Sequence, residues 1–184
     1  MMLPVRAGKS LPKRAVSTDM DLKPQIIDPG IIDYTEGLGL QKQLWTKRYR
    51  NEIKDTVILC EHNPVISLGL KRSVNLFADA GNMIARNGIS VIQSNRGGGI
   101  TAHNPGQLII YIIADLQRLK TDISGLRQKL EQTGIESLRQ MGVESSSRKG
   151  LPGLWAGRQK IASLGIRISR GVCFHGMAIN ICND

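Results

Sequence analysis

Aromatic side chains are scarce in this sequence, at 4% of 184 residues. Base-stacking platforms therefore have little to be built from, and no Lys/Arg run is interleaved with aromatics, so nucleic acid is not expected as a partner. Cysteine is sparse too: Cys60, Cys173 and Cys182 are odd in number and show no CxxC spacing. That pattern supports neither a zinc site nor a disulfide framework, and no metal or cofactor is expected. Long apolar runs are missing. The longest, Leu108 to Ala114, falls far short of the roughly 18 residues a membrane helix needs, so it reads as a buried strand and no membrane partner is expected. With no secretory signal, the unpaired cysteines point to a reducing compartment. The expectation is cytoplasmic. A mitochondrial or plastid location is the alternative, because residues 1–18 carry Arg6, Lys9, Lys13 and Arg14 without an acid. Pro4 and Pro12 would interrupt a transit-type amphipathic helix, so residues 1–24 read as a basic, disordered tail.

What the chain has is positive charge, net +10 from 25 basic and 15 acidic residues, and a hydrophobic fraction of 41%, enough for one domain with a core. The charge serves either solubility or attraction to an acidic partner. Its densest segment, Lys42 to Lys54, has helical spacing and reads as a charged outer face. Leu38, Leu44, Trp45 and Tyr49 predict an amphipathic helix over Thr35 to Ile53, after a short opening strand at Asp28 to Ile32. Further strands are expected at Val57 to Cys60, Val65 to Leu68, Ile89 to Gln93 and Leu108 to Ile113. Ile123, Leu126, Leu130, Leu138 and Met141 mark a second helix, stopped by Gly142. A hairpin then joins Leu154–Ala156 to Lys160–Ser169, where Ala162, Leu164, Ile166 and Ile168 share one face and Ser163, Gly165 and Arg167 the other. Strands mixed with two helices give an α+β layered domain.

Three segments carry chemistry. In Arg96 to Gln107 (RGGGITAHNPGQ), three glycines between apolar strands let backbone N–H groups approach a carbonyl or anionic group. Arg96 adds a fixed charge and His103 a ring that titrates near neutral pH. A glycine-rich hairpin with a structural histidine would look the same. In Gly153 to Ser169, Lys160 opens a strand beside the small residues Ala162, Ser163 and Gly165. Small residues leave room for a ligand, and a partly desolvated lysine lowers the pKa of a nearby thiol; the plain alternative is a surface lysine at a turn. In His175 to Asp184 (HGMAINICND), Gly176 and Ala178 are again small, Asn180 can hydrogen-bond backbone or ligand, and His175 can be purely structural.

In this order the segments resemble the octanoyltransferase family, whose pattern RGGxxTxHxPGQL, GxW, KIAxxG and HGxAxN is matched here by RGGGITAHNPGQL, GLW, KIASLG and HGMAIN. CEHNPVISLG is similar to the family's EHPPVxTxG, and the resemblance runs from about Ile26 to Asp184. It implies a mixed β-sheet flanked by helices, like the biotin and lipoate protein ligases, as a single catalytic domain over residues 25–184. Carried over by position, Arg96, Gly97, Gly98, Gly99, Ile100, Thr101, Ala102 and His103 line the acyl site, together with Ser163, Leu164, Gly165, Gly176, Met177 and Ala178. Lys160 falls on the lysine that lowers the pKa of the nucleophilic cysteine. That cysteine sits in a PCG motif beyond the segment ending at Asp184, so the domain is expected to be C-terminally incomplete. Ala102 replaces a usual aromatic and Asn104 a usual glycine. Cys60, Cys173 and Cys182 are not expected to substitute for the nucleophile.

The implied chemistry moves an octanoyl group from octanoyl-acyl carrier protein to a cysteine thiolate as a thioester. From there it passes to a lysine of lipoyl domains, in 2-oxoacid dehydrogenase E2 subunits and glycine cleavage H protein. No nucleotide is needed, and the positive charge would steer the acidic carriers. Two rivals are an ATP-dependent lipoate or biotin ligase, towards which the GGG run leans, and a truncated homologue that binds acyl groups without turnover.

Overall fold

The computed structural model describes residues 23–71 and 88–183. The expected basic tail, residues 1–24, lies outside these except for Lys23 and Pro24. In chain order the elements are β1 (Gln25–Ile32), α1 (Tyr34–Tyr49), β2 (Thr56–His62), β3 (Val65–Leu68), β4 (Ser90–Gln93), β5 (Ile100–His103) and β6 (Gln107–Asp115). Then come α2 (Ile123–Gln140), β7 (Ser146–Arg148), β8 (Leu151–Ala156), β9 (Gln159–Ser169) and β10 (Val172–Asn180). The opening strand starts earlier than Asp28 because its parallel pairing with β2 begins at Gln25 opposite Thr56. Helix α1 stops short of Ile53, since Asn51 adopts a left-handed φ of 56°, a conformation asparagine tolerates and a helix does not. Gly142, at φ 80°, follows α2 as expected.

Seven strands form a mixed sheet in the order β1-β2-β6-β10-β9-β8-β7. Only the β1–β2 pair is parallel. The period of two sorts β6 cleanly. Ile109, Tyr111 and Ile113 face α1, packing with Leu44, Ile58, Cys60 and Val172. Ile110, Ile112 and Ala114 face α2, in clusters with Leu138, Leu154, Met177 and Leu126, Cys173. Full burial of Ile58, Ile109 and Ile113 is worth about 1.5–3 kcal/mol each. Gly134 brings α2 down onto the sheet: a Cβ there would sit 2.6 Å from Leu154 Cδ1.

A second sheet, β4-β3-β5, was not expected as a separate body; these short strands read from sequence as members of one sheet. It lies on the α1 side, where the Tyr34 ring stacks on His103 at 5.5 Å. One end of the large sheet is locked by buried ions. Arg48 Nε donates to Asp55 Oδ1 at 2.5 Å, Arg118 pairs with the same carboxylate, and Arg48 lies 3.7 Å from Asp115. The opposite end, at Gln107, Lys160 and Asn180, carries the motifs.

Candidate active site

On the α1 face the large sheet presents almost no side chains where β9 and β10 cross the centre. Ser163 and Gly165 of β9 stand beside Ala178 and Gly176 of β10, paired in register. A cleft runs over them, roofed by Tyr34, Arg96, Thr101 and His103 and floored also by Ile109 and Tyr111. The cleft is partly open and its volume is about 40 Å³, room for a few waters at roughly 10–15 Å³ each. Leu164 and Met177 border the cleft but pack their side chains on the other face, among Leu138, Leu154 and Ala162; strand alternation sends them there. They stand at the cleft, as expected by position, through their backbone.

Of the glycine-loop segment, Arg96, Thr101 and His103 border this cleft, and Gly97, Gly98, Gly99, Ile100 and Ala102 lie beside it. The glycines hold the roof in place instead. A Cβ on Gly97 would meet the Ile166 carbonyl oxygen at 2.9 Å, and one on Gly165 would meet the Gly97 carbonyl at 2.8 Å. The loop therefore lies directly on β9. Its carbonyls accept from the neighbouring turn: Gly69 N to Gly99 O at 2.8 Å, Leu70 N to Arg96 O at 3.0 Å and Lys71 N to Gly98 O at 2.9 Å. Ile100 and Ala102 instead border an outer groove shared with Thr101, His103, Asn104, Lys160, Ser163 and Asn180.

Arg96 is a clasp. Its guanidinium is buried and donates to Ser67 O at 2.7 Å, to Ser67 Oγ at 2.9 and 3.1 Å, and to Gly97 O at 3.0 Å. Burial lowers its pKa, opposed by the nearby Tyr34, but a guanidinium stays charged. The Tyr34 hydroxyl is buried beside it without a well-aligned hydrogen-bond partner among the described residues. From Ser67 a chain of hydrogen bonds crosses to Lys160. Ser67 Oγ meets His103 Nε2 at 3.0 Å, and His103 Nδ1 meets Gln107 Oε1 at 2.7 Å. Gln107 Nε2 donates to Asn180 Oδ1 at 2.8 Å, and Asn180 Nδ2 to the Lys160 carbonyl at 3.4 Å. The amide oxygen only accepts, so His103 carries its proton on Nδ1. Burial pulls its pKa down to about 4. His103 is thus a neutral connector at pH 7, and the expectation of a ring titrating near neutrality is not met.

His62 and His175 are buried as well. His62 Nδ1 donates to Ile32 O at 2.9 Å, and its Nε2 meets the Tyr111 hydroxyl at 2.7 Å; burial lowers its pKa. His175 sits mid-strand at φ 62°, a strained position costing about 1–3 kcal/mol for a non-glycine residue. The β6 ladder is interrupted there, between Cys173–Ala114 and Gly176–Tyr111. Its N–H turns to Gln41 Oε1 at 2.9 Å, and Cys173 Sγ donates to the Ile112 carbonyl at 3.4 Å. Its Nε2 donates to Asn95 Oδ1 at 2.8 Å. Burial, then Arg96 and Arg167, press its pKa down to about 3.

Lys160 borders the outer groove at the far end of the cleft from His175. Its stem crosses Gly153, where a Cβ would sit 2.8 Å from Cε, and its Nζ lies 5.7 Å from the Trp155 ring centroid. Gly153, at φ 121°, explains the GLW motif: only glycine admits both this backbone and the lysine above it. Partial desolvation lowers the Lys160 pKa. Of the thiols, Cys60 and Cys173 are buried, and burial raises both pKa values to about 12; Cys182 is exposed. Tyr34, Asn95 and Tyr111 have no motif of their own to mark them in the sequence. His62, Ser67 and Gln107 stand inside family-like motifs, where nothing in the sequence assigned them a role.

The sequence pattern of the Lipoyl protein ligase A/B catalytic domain matches residues 33–184. An octanoyltransferase from Methylococcus capsulatus is 40% identical over 155 residues, covering 84% of this chain and 72% of that relative. Lipoate-bound P. falciparum LipL1 superposes with a TM-score of 0.67 at 16% identity, over 86% of this chain and 48% of its own. Biotin acetyl coenzyme A carboxylase synthetase from Helicobacter pylori gives 0.55 at 14% identity, over 88% and 63%. At such identities the two structures show the fold, that of the lipoate and biotin ligases. With its sequence match added to that fold, the chain belongs to the octanoyltransferase family, within the lipoyl protein ligase A/B catalytic domain.

Proposed function

We propose that residues 25–184 form one catalytic domain that binds an octanoyl group for transfer to lipoyl domains. The observation that carries this reading is the cleft over Ser163, Gly165, Gly176 and Ala178, apolar below and closed by a polar roof, with Lys160 at one end. An acyl chain lies along the bare strands with its carbonyl towards Lys160. The space under the roof is small, about 40 Å³, so admission of an acyl chain involves the roof lifting from β9. The contact between Gly97 and Gly165 is backbone on backbone, with the Arg96 stem also lying over Gly165, so that motion carries Arg96 with it.

The chemistry follows from the lysine. A cysteine thiolate attacks the thioester of octanoyl-acyl carrier protein, forming a new C–S bond and expelling the carrier thiolate. A lipoyl-domain lysine then attacks the acyl-enzyme; the C–N bond forms, the C–S bond breaks, and the amine's proton leaves through a base. Lys160, with its lowered pKa, takes a proton from the thiol and then holds the thiolate electrostatically. Cys60 and Cys173 are too buried to serve; the PCG motif that supplies the thiol in the family pattern does not occur among the 184 residues. His103 and His175 are weak bases for this step, because burial lowers their pKa values to about 4 and about 3. The net charge of +10 favours acidic carriers, and the reduced cysteines suit the cytoplasm.

Calorimetry with octanoyl-pantetheine and octanoate tests the binding half, with saturable binding expected. ATP–pyrophosphate exchange with octanoate, lipoate or biotin separates the nucleotide-dependent alternative. Exchange at enzymatic rates would replace the transferase reading with a ligase.

A further inference from the structure

We propose that the His175 ring is the end-stop of the acyl cleft and sets the longest chain that the site accepts; the proposal rests on the acyl reading of that cleft. The ring borders two spaces. Along β10 and β9 the cleft occupies the side of Gly176 to Ala178 and Ser163 to Gly165. On the other side, towards Phe174 and Ser169, a second cavity of about 610 Å³ opens between α1 and residues 93–95. Leu38, Trp45, Leu70 and Phe174 give it apolar walls. From Asn180 to His175 is five residues, roughly 16 Å of strand, so an extended chain whose carbonyl lies near Lys160, rising about 1.3 Å per carbon, reaches the ring at roughly twelve to thirteen carbons. A longer chain runs into the ring.

The ring is built to stay there. His175 is 2% exposed. Its backbone N–H is held by Gln41 and its Nε2 by Asn95, 134 and 80 positions away in the chain. Were it in ordinary extended geometry, strand alternation would turn the side chain to the α2 face, with Met177 and Cys173. The left-handed φ puts it against Tyr111, at 6.2 Å between ring centroids. Strain held at one residue by three elements marks a position with a task, and partitioning two cavities is the task the geometry defines.

The test is the ratio of hexadecanoate to octanoate affinity, measured by calorimetry on the whole chain. In the parent, hexadecanoate should bind at least tenfold more weakly than octanoate. His175→Gly accepts the left-handed backbone and removes the ring, so the ratio should move by at least tenfold in favour of hexadecanoate. In that variant 16-bromohexadecanoate should quench Trp45, which walls the second cavity; the parent should show no such quenching. His175→Asn, which also tolerates positive φ, should shift the ratio in the same direction. An unchanged ratio in either variant, folded by circular dichroism, overturns the proposal. So does a parent that binds hexadecanoate as tightly as octanoate with Trp45 quenched by the brominated tail, whether or not the variants fold. Failure of octanoate to bind the parent at all is a different result: it removes the acyl reading itself.

Discussion

Gly97→Ala and Gly98→Ala look equivalent in sequence and should behave differently. Gly97 has no left-handed φ, so alanine fits its backbone, but the new Cβ would stand 2.9 Å from the Ile166 carbonyl oxygen. That is about 0.5 Å inside ordinary contact, and β9 is held in the large sheet there by its pairing with β10, Ile166 opposite His175, so the loop must give. Overpacking of this kind costs about 1–3 kcal/mol. Here the displacement also raises the roof that Arg96 clasps to Ser67. Gly98 is the reverse: φ is 83° and a Cβ would meet only Arg96 Nη1, at 3.5 Å. Its substitution costs about 1–2 kcal/mol of backbone strain without pressing on the sheet. Urea titrations should therefore show comparable destabilisation. Calorimetry with octanoyl-pantetheine should separate the two: at least tenfold weaker binding for Gly97→Ala, about 1.4 kcal/mol, against threefold at most for Gly98→Ala. If Gly98→Ala loses more affinity than Gly97→Ala, both proteins being folded, the glycines act by offering amides to the ligand and the packing argument is wrong.

Acid should destabilise the fold through its histidines. The unfolded chain takes up protons near pH 6.5, whereas His103 and His175 stay neutral until about 4 and 3. Stability is therefore full above about pH 6.5 and falls as pH drops through that window; urea midpoints at pH 7.5 and 5.0 check it. Thiol titration with a chromogenic disulfide should find Cys182 reactive in the native protein and Cys60 and Cys173 only after unfolding. Asp55→Asn should cost about 3–5 kcal/mol in thermal or urea unfolding, because Arg48 and Arg118 lose a buried partner. Octanoate affinity should be preserved in that variant, the network lying at the opposite end of β6. In a form that turns over, Lys160→Ala should cost several orders of magnitude in rate while acyl binding changes much less, and should raise the apparent pKa for alkylation of the nucleophile.

Much of this was legible in the sequence where a period governs it. The alternation in the sequence put Ala162, Leu164, Ile166 and Ile168 on one face of β9 and Ser163 and Gly165 on the other, and the structure packs the first set on the α2 side with the second along the cleft. The stop at Gly142 was readable for the same local reason. What escaped depends on distance in the chain. Leu164 and Met177 sit inside the recognised motifs, but which of their atoms reach the cleft follows from sheet pairing. The protonation of His103 is decided by burial under Tyr34 and by Gln107, and nothing in the HNPGQ string reports burial. The turn of His175 out of its strand needs Gln41, Asn95 and the interrupted ladder with β6 at once. The separate β4-β3-β5 sheet depends on pairings between short strands that hydrophobicity does not specify.

The central claim, an acyl cleft over β9 and β10 with its mouth at Lys160, is tested most directly by photolabelling. Octanoyl-pantetheine carrying a diazirine at the ω-carbon, irradiated with the protein and mapped by peptide mass spectrometry, reports where the tail lies. The account predicts label within residues 163–166 and 175–178, displaced by excess octanoate. Label confined to the outer groove around Ile66, Ile100 and Ala102, or to α2, would contradict it.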